Sequence, residues 1–146
     1  MTSKALPTQA VDADGSYRRV SLEELLAFTV VAFESMGLER DAAEICADAL
    51  VQSELRYHPG QGQGVRRLLA YRERIEAGYL DPRAPFEIVK EGPALALVDA
   101  HNGLGSVTGH RAMTLASKKA AEGGIGFVIV RGSTHYGSSS VHARVA

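Results

Sequence analysis

The chain has a single cysteine, Cys46, so no disulfide can form within it and a reducing, cytoplasmic compartment is expected. It also lacks an excess of charge of either sign, with 16 Lys and Arg against 17 Asp and Glu and a formal net charge of -1. That balance, with no basic stripe interleaved with aromatics, argues against nucleic acid as a partner. No apolar run approaches the ~20 residues of a membrane-spanning helix, and the N-terminus lacks the basic-then-apolar layout of a secretory signal. Internal repeats, low-complexity tracts and a metal-ligand set are missing too. Residues 1–20 read as a weakly specified polar lead-in.

What remains is a chain of 146 residues, 45% hydrophobic, enough to build a core without disulfides or metals. Cys46 sits in the helical pattern EICADAL and suits a buried structural thiol. Ser21 and Glu24 make a capping box, followed at helical spacing by Leu22, Leu25, Leu26, Val30 and Phe33 in a first helix that closes near Gly37. Asp41 and Glu44 repeat the capping signal, and Ala42, Ile45, Ala49, Leu50 and Leu55 mark a second helix that fails near His58-Pro59. Val65, Leu68, Leu69, Tyr71, Ile75 and Ala77 mark a third, ended by Gly78. Residues 21–80 are therefore a helical region.

Beyond Pro82 and Pro85 the periodicity changes. Phe86 to Val89 and Ala94 to Val98 read as strands around a Glu91-Gly92-Pro93 turn, and Thr108 to Glu122 as a fourth helix. Ile125 to Val130 is almost wholly apolar and β-branched, the pattern of a strand buried on both faces. Val141 and Val145 open a further helical face. Residues 81–146 thus form the first part of an α/β sheet domain, incomplete at its C-terminal end. A split protein or a processed chain would both produce that ending.

Two readings compete for the segment around GLGSVTG. Strand 94–98, this turn, the helix after it and strand 125–130 make a βαβ unit of the kind that binds a pyrophosphate at a helix N-terminus, with Arg131 where a 2′-phosphate is often recognised. The glycines, however, are spaced GxGxxxG rather than GxGxxG, and such turns also serve structure alone.

The segments GVRRLLAYRERIEAGYLDPRA (64–84), GPALALVDAHNGLGSVTGHRAM (92–113) and GIGFVIVRGSTHYG (124–137) together resemble the type-2 malate/L-lactate dehydrogenase family over residues 21–146. That family also includes ureidoglycolate and sulfolactate dehydrogenases and cyclic-imine reductases. The resemblance implies a non-Rossmann nucleotide-binding fold, a helical layer followed by a mixed sheet, in family chains more than twice this length. It implies an oxidoreductase that uses NADH or NADPH on a small 2-hydroxy or 2-oxo acid or cyclic imine, usually as a homo-oligomer. The GLGSVTG turn is then structural, and the residues that bind the cofactor are unidentified.

By the same resemblance His135 is the catalytic residue that moves the proton, a task suited to an imidazole with an ordinary pKa near ~6.5. Arg67 matches the arginine that grips a substrate carboxylate through its planar fork, while Arg66, about 100° around the helix, reads as a solvated charge. Ser133 and Thr134 are candidates for orienting the substrate or the ring, and His101 and Asn102 for supporting their turn.

One motif departs from the family. Its Ser-His-Gly falls at Gly62-Gln63-Gly64, within YHPGQGQG, so Gln63 is left to place the substrate by hydrogen bonds without exchanging a proton. His58 could fold back toward the same place. The departure keeps two alternatives open. One is a cofactor-free hydrolase of an amide or imide bearing a carboxylate, with a nucleophile from Ser138, Ser139 or Ser140 or one created by self-cleavage after Ala146. Those serines also suit a helix N-cap. The other is a catalytically silent partner subunit. In every case the expected partners are a small molecule and either the rest of the protein or a second chain.

Overall fold

A computed structural model of the chain describes residues 10–11, 17–18, 20–56 and 64–146. Within the polar lead-in, β1 (Ala10–Val11) and β2 (Tyr17–Arg18) pair antiparallel. Then α1 (Leu22–Ser35) starts on the capping box expected from the sequence: Ser21 Oγ accepts from the Glu24 amide at 3.1 Å, and Glu24 Oε2 accepts from the Ser21 amide at 3.0 Å. Gly37, at φ +97°, turns the chain away from it.

The second helix, α2 (Arg40–Leu55), begins one residue before the expected cap. Glu39 holds the N-cap position without a side-chain cap bond, and Asp41 lies in the first turn, where it pairs with Arg111 at 2.9 Å. Leu55, expected on the apolar face, is exposed at the last position of the helix. A 3-10 turn at Val65–Arg67 leads into α3 (Leu68–Glu76), so the third helix is tighter at its start than its periodicity predicts. Leu69, also assigned to that helix's apolar face, points to solvent.

The core forms where α1 and α2 meet α3 and the fourth helix. Phe33, Ala43, Cys46, Ala47, Leu50, Leu68 and Tyr71 pack with Leu104 and Val107 in one cluster. The small side chains of α2 let its neighbours approach closely, and Phe33 meets Tyr71 with ring centroids 5.6 Å apart. Cys46 is buried here, as expected, and burial raises its thiol pKa, which keeps the sulfur protonated and inert.

The sheet has the order β3-β4-β5. β3 (Glu87–Glu91) pairs antiparallel with β4 (Leu95–Asp99), with an irregularity between Ile88 and Lys90, and β4 pairs in parallel with β5 (Phe127–Arg131). The crossover is α4 (Gly105–Gly123), which starts three residues before the expected Thr108 and ends on Gly124 at φ +82°. Lys119 of α4, itself buried, ties the helix to the β3-β4 turn through Glu91 (2.7 Å) and the Gly92 carbonyl (2.8 Å). A short α5 (Ser139–Val145) buries Val141 and His142.

The expectation that β5 is buried on both faces is not met in this chain. Ala96 and Val98 of β4 are buried beneath α4, and their register partners Val128 and Val130 share that side. Leu95 (49% exposed), Phe127 (59%) and Ile129 (46%) point the other way, on a face that no described element covers. β5 is also the edge strand, so its outer side has no ladder partner among the described residues.

The two environments predict opposite responses in the 146-residue chain. Phe33→Ala should cost about 3–5 kcal/mol in denaturant unfolding, because it empties a site with no solvent access. Phe127→Thr should stay within about 0.5 kcal/mol. A comparable loss for both would mean that the outer sheet face is packed.

Candidate functional site

The loop after β5 is held by the turn after β4. Ala100 and Asn102 amides donate to the Arg131 and Gly132 carbonyls at 2.9 and 2.6 Å, and His101 and Asn102 both take positive φ to make the turn. The Asp99 carboxylate accepts from the His101 amide at 3.0 Å and from Arg131 Nε at 2.8 Å. These contacts lower its pKa, the amide contributing most. Arg131 is therefore engaged by Asp99, which weakens its reading as a 2′-phosphate ligand. His101 reaches back to Glu87 at 2.6 Å and supports the turn.

Thr134 locks this loop onto α4. Its Oγ1 accepts from the Gly105 amide and donates to the Gly103 carbonyl, both at 3.1 Å, and its own amide donates to the same carbonyl at 3.3 Å. Ser133, at the exposed surface, donates to the Thr134 carbonyl at 3.2 Å. The candidate substrate contacts at 133 and 134 are thus placed beside His135, with the Thr134 hydroxyl committed to shaping the loop.

Contact with the helix is close. A Cβ built on Gly105 would stand 2.4 Å from the carbonyl oxygens of Thr134 and His135, so the loop can lie there only over a glycine. A Cβ on Gly109 would meet the His142 ring at 2.6 Å. These glycines of GLGSVTG are closed by protein atoms, and the first amide of α4 already donates to Thr134. The turn is structural, and it does not fit a pyrophosphate.

His135 is exposed at the end of this loop. Its Nδ1 accepts from the Gly137 amide at 3.2 Å, so the proton of the neutral ring resides on Nε2. The ring stacks on Tyr136 with centroids 6.3 Å apart. Partial burial and then the positive charges of Arg67 and Arg74 depress its pKa below the ordinary 6.5. Arg67, at the end of the 3-10 turn, and His135, 68 positions later in number, are thereby brought into one electrostatic environment.

Two residues that the sequence did not single out for the site lie near Arg67. Tyr71, one helical turn beyond Arg67, is buried, with Ser106 of the first turn of α4 and Arg67 near its hydroxyl. Burial raises its pKa, so it remains a neutral phenol. The i, i+4 spacing from Arg67 was visible in the sequence. The proximity of Ser106 was not, because it arises from packing between distant helices. Arg66 is exposed, as expected. Gln63 and His58 lie outside the described residues.

The serine cluster offers little support for a nucleophile. Ser138 and Ser140 hydroxyls pair at 2.8 Å and Ser139 pairs with the Tyr136 hydroxyl at 2.9 Å; none of these partners is a base. Ser138 does occupy the N-cap position of α5, without a side-chain cap bond.

Comparison with known proteins places this site in context. A family profile described as malate/L-lactate dehydrogenase matches residues 20–146. Malate dehydrogenase of Pyrococcus horikoshii is 40% identical over 133 residues, covering 91% of this chain and 36% of that protein. Its solved structure superposes with a TM-score of 0.84 at 39% identity, over 94% of this chain and 38% of that one. L-sulfolactate dehydrogenase of Methanocaldococcus jannaschii is 35% identical over 77% of this chain and 32% of its own length. The structure of sulfolactate dehydrogenase from the same organism gives a TM-score of 0.81 at 31% identity, covering 86% and 36% of the two chains. The chain therefore spans about a third of the length of the relatives it matches.

If Thr134 fastens the loop, Thr134→Val should lower stability by about 1–3 kcal/mol, because it leaves the Gly105 amide and Gly103 carbonyl without that partner. Ser133→Ala should stay within about 0.5 kcal/mol. Equal small effects in chemical unfolding would show that the loop is held by other means.

Proposed function

The chain belongs to the malate/L-lactate dehydrogenase family, and from that membership we propose that it carries the substrate side of an NAD(P)-dependent oxidoreductase acting on a small 2-hydroxy or 2-oxo acid. A cyclic imine bearing a carboxylate is a substrate of the same shape. The observation that carries the proposal is that Arg67 lies close enough to His135 for its charge to help depress the imidazole pKa.

In this reading the Arg67 guanidinium holds the substrate carboxylate with charge-assisted hydrogen bonds. Protonated His135 presents Nε2–H to the carbonyl oxygen and delivers that proton as the oxygen becomes an alcohol, leaving the neutral ring. Ser133 lines the approach, Thr134 keeps the loop in place and Gln63 contributes hydrogen bonds to the substrate. The cofactor's part is the hydride. The GLGSVTG turn does not fit its pyrophosphate, so the proposal assigns its binding elsewhere.

Further polypeptide over the outer sheet face, from this protein or a second copy, belongs to the same proposal. The support is the exposed apolar surface of Leu95, Phe127 and Ile129 beside an unpaired strand edge. No described helix is long and apolar enough to cross a membrane.

The test is turnover by the full-length protein, followed as loss of NADH or NADPH absorbance with pyruvate, oxaloacetate or a cyclic imine carboxylate. Reduction should quicken as pH falls through the His135 pKa, because only then does the ring carry a transferable second proton, and the midpoint should lie below 6.5. His135→Gln should remove this limb and lower kcat by about 10²- to 10⁴-fold. Arg67→Gln should lower kcat/KM by about 10- to 100-fold, mainly through KM. Absence of cofactor binding and turnover would overturn the proposal.

A further inference from the structure

His142 is 6% exposed and lies in α5, between the Tyr136 ring and Gly109 of α4. Its Nε2 is 2.7 Å from the Tyr136 carbonyl oxygen. A carbonyl only accepts, so Nε2 carries the proton and Nδ1 is the bare nitrogen. That Nδ1 is buried with no hydrogen-bond partner. A leucine or phenylalanine would fill the space without burying such an atom, so packing alone does not account for a histidine here.

The carbonyl that His142 holds belongs to the peptide unit linking Tyr136 to Gly137. The amide of the same peptide unit donates to His135 Nδ1 at 3.2 Å. One planar group thus accepts from His142 on one side and donates to His135 on the other. Fixing its carbonyl fixes the direction of its N–H, and polarising the carbonyl strengthens the N–H as a donor.

We infer that His142 is a positioning residue for His135, acting through the Tyr136–Gly137 peptide to fix the orientation of the resting neutral His135 ring and hold it in its Nε2–H tautomer. The inference deepens the proposed function, since it names what orients the proton-transferring ring. It assigns His142 no contact with substrate.

The test uses the full-length protein with 15N-labelled histidine, in which long-range proton–nitrogen spectra report ring tautomers without requiring turnover. Neutral His142 and neutral His135 should both carry the proton on Nε2. His142→Phe keeps a ring against Tyr136 but removes the donor; it should shift His135 toward a mixture of tautomers. If the enzyme is active, kcat should fall by about tenfold while KM changes less than about twofold. His142→Gln, whose amide can place an N–H near the same point, should restore both readouts.

A proton on Nδ1 of His142 in the unmodified protein would overturn the inference, and this measurement stands even where a variant fails to fold. So would an unchanged His135 tautomer in a folded His142→Phe protein. Absence of turnover with tautomers as expected would count against the proposed reaction while supporting the positioning role.

Discussion

The contact on which the site depends is the seating of the 134–135 backbone over Gly105. Two carbonyl oxygens come so close to its Cα that no side chain fits there, and the Thr134 hydroxyl joins the helix start to the loop from both sides. A larger residue at 105 would push the loop outward and carry His135 with it. The glycine-rich turn therefore has a mechanical function: it permits backbone to rest on backbone, and the hydrogen bonds at Thr134 set the position.

From that contact α4 distributes constraints in three directions. Leu104 and Val107 fix its first turn in the core with Phe33 and Leu50. Ser106 and Arg67 both lie near the Tyr71 hydroxyl, so the helical layer brings its cation toward the end of α4 that supports the histidine loop. Gly109 receives the His142 ring, through which α5 reaches the loop's last peptide. The electrostatic result is a histidine held below its ordinary pKa by partial burial and by the arginines on α3 and the 3-10 turn before it.

Much of this was legible along the chain. The Ser21–Glu24 cap, the helix periodicities and the β4-α4-β5 crossover followed from local pattern. The misreadings were tertiary in origin. Asp41 has the chemistry of a cap, but Arg111 engages it one residue inside the helix. The GLGSV stretch has the composition of a loop, yet α4 begins inside it because Thr134 satisfies the Gly105 amide. The run at 125–130 resembles a doubly buried strand, whereas parallel register with β4 divides β5 into a covered side and an open one. The nearness of Ser106 to Tyr71, and of Gly109 to His142, carried no local signal, since it comes from packing between elements distant in the chain. The departure expected at Gly62-Gln63-Gly64 falls on positions 62 and 63, which lie outside the described residues.

The central claim is that Arg67 and His135 share one site, and it is tested most directly by titrating His135 by NMR in the full-length protein before and after Arg67→Gln. The account predicts a midpoint below 6.5 that moves upward when the arginine charge is removed, without reaching the ordinary value because burial remains the larger cause. Arg66→Gln, at an exposed neighbour, should leave it in place. An identical midpoint in the Arg67→Gln and unmodified proteins would contradict the claim.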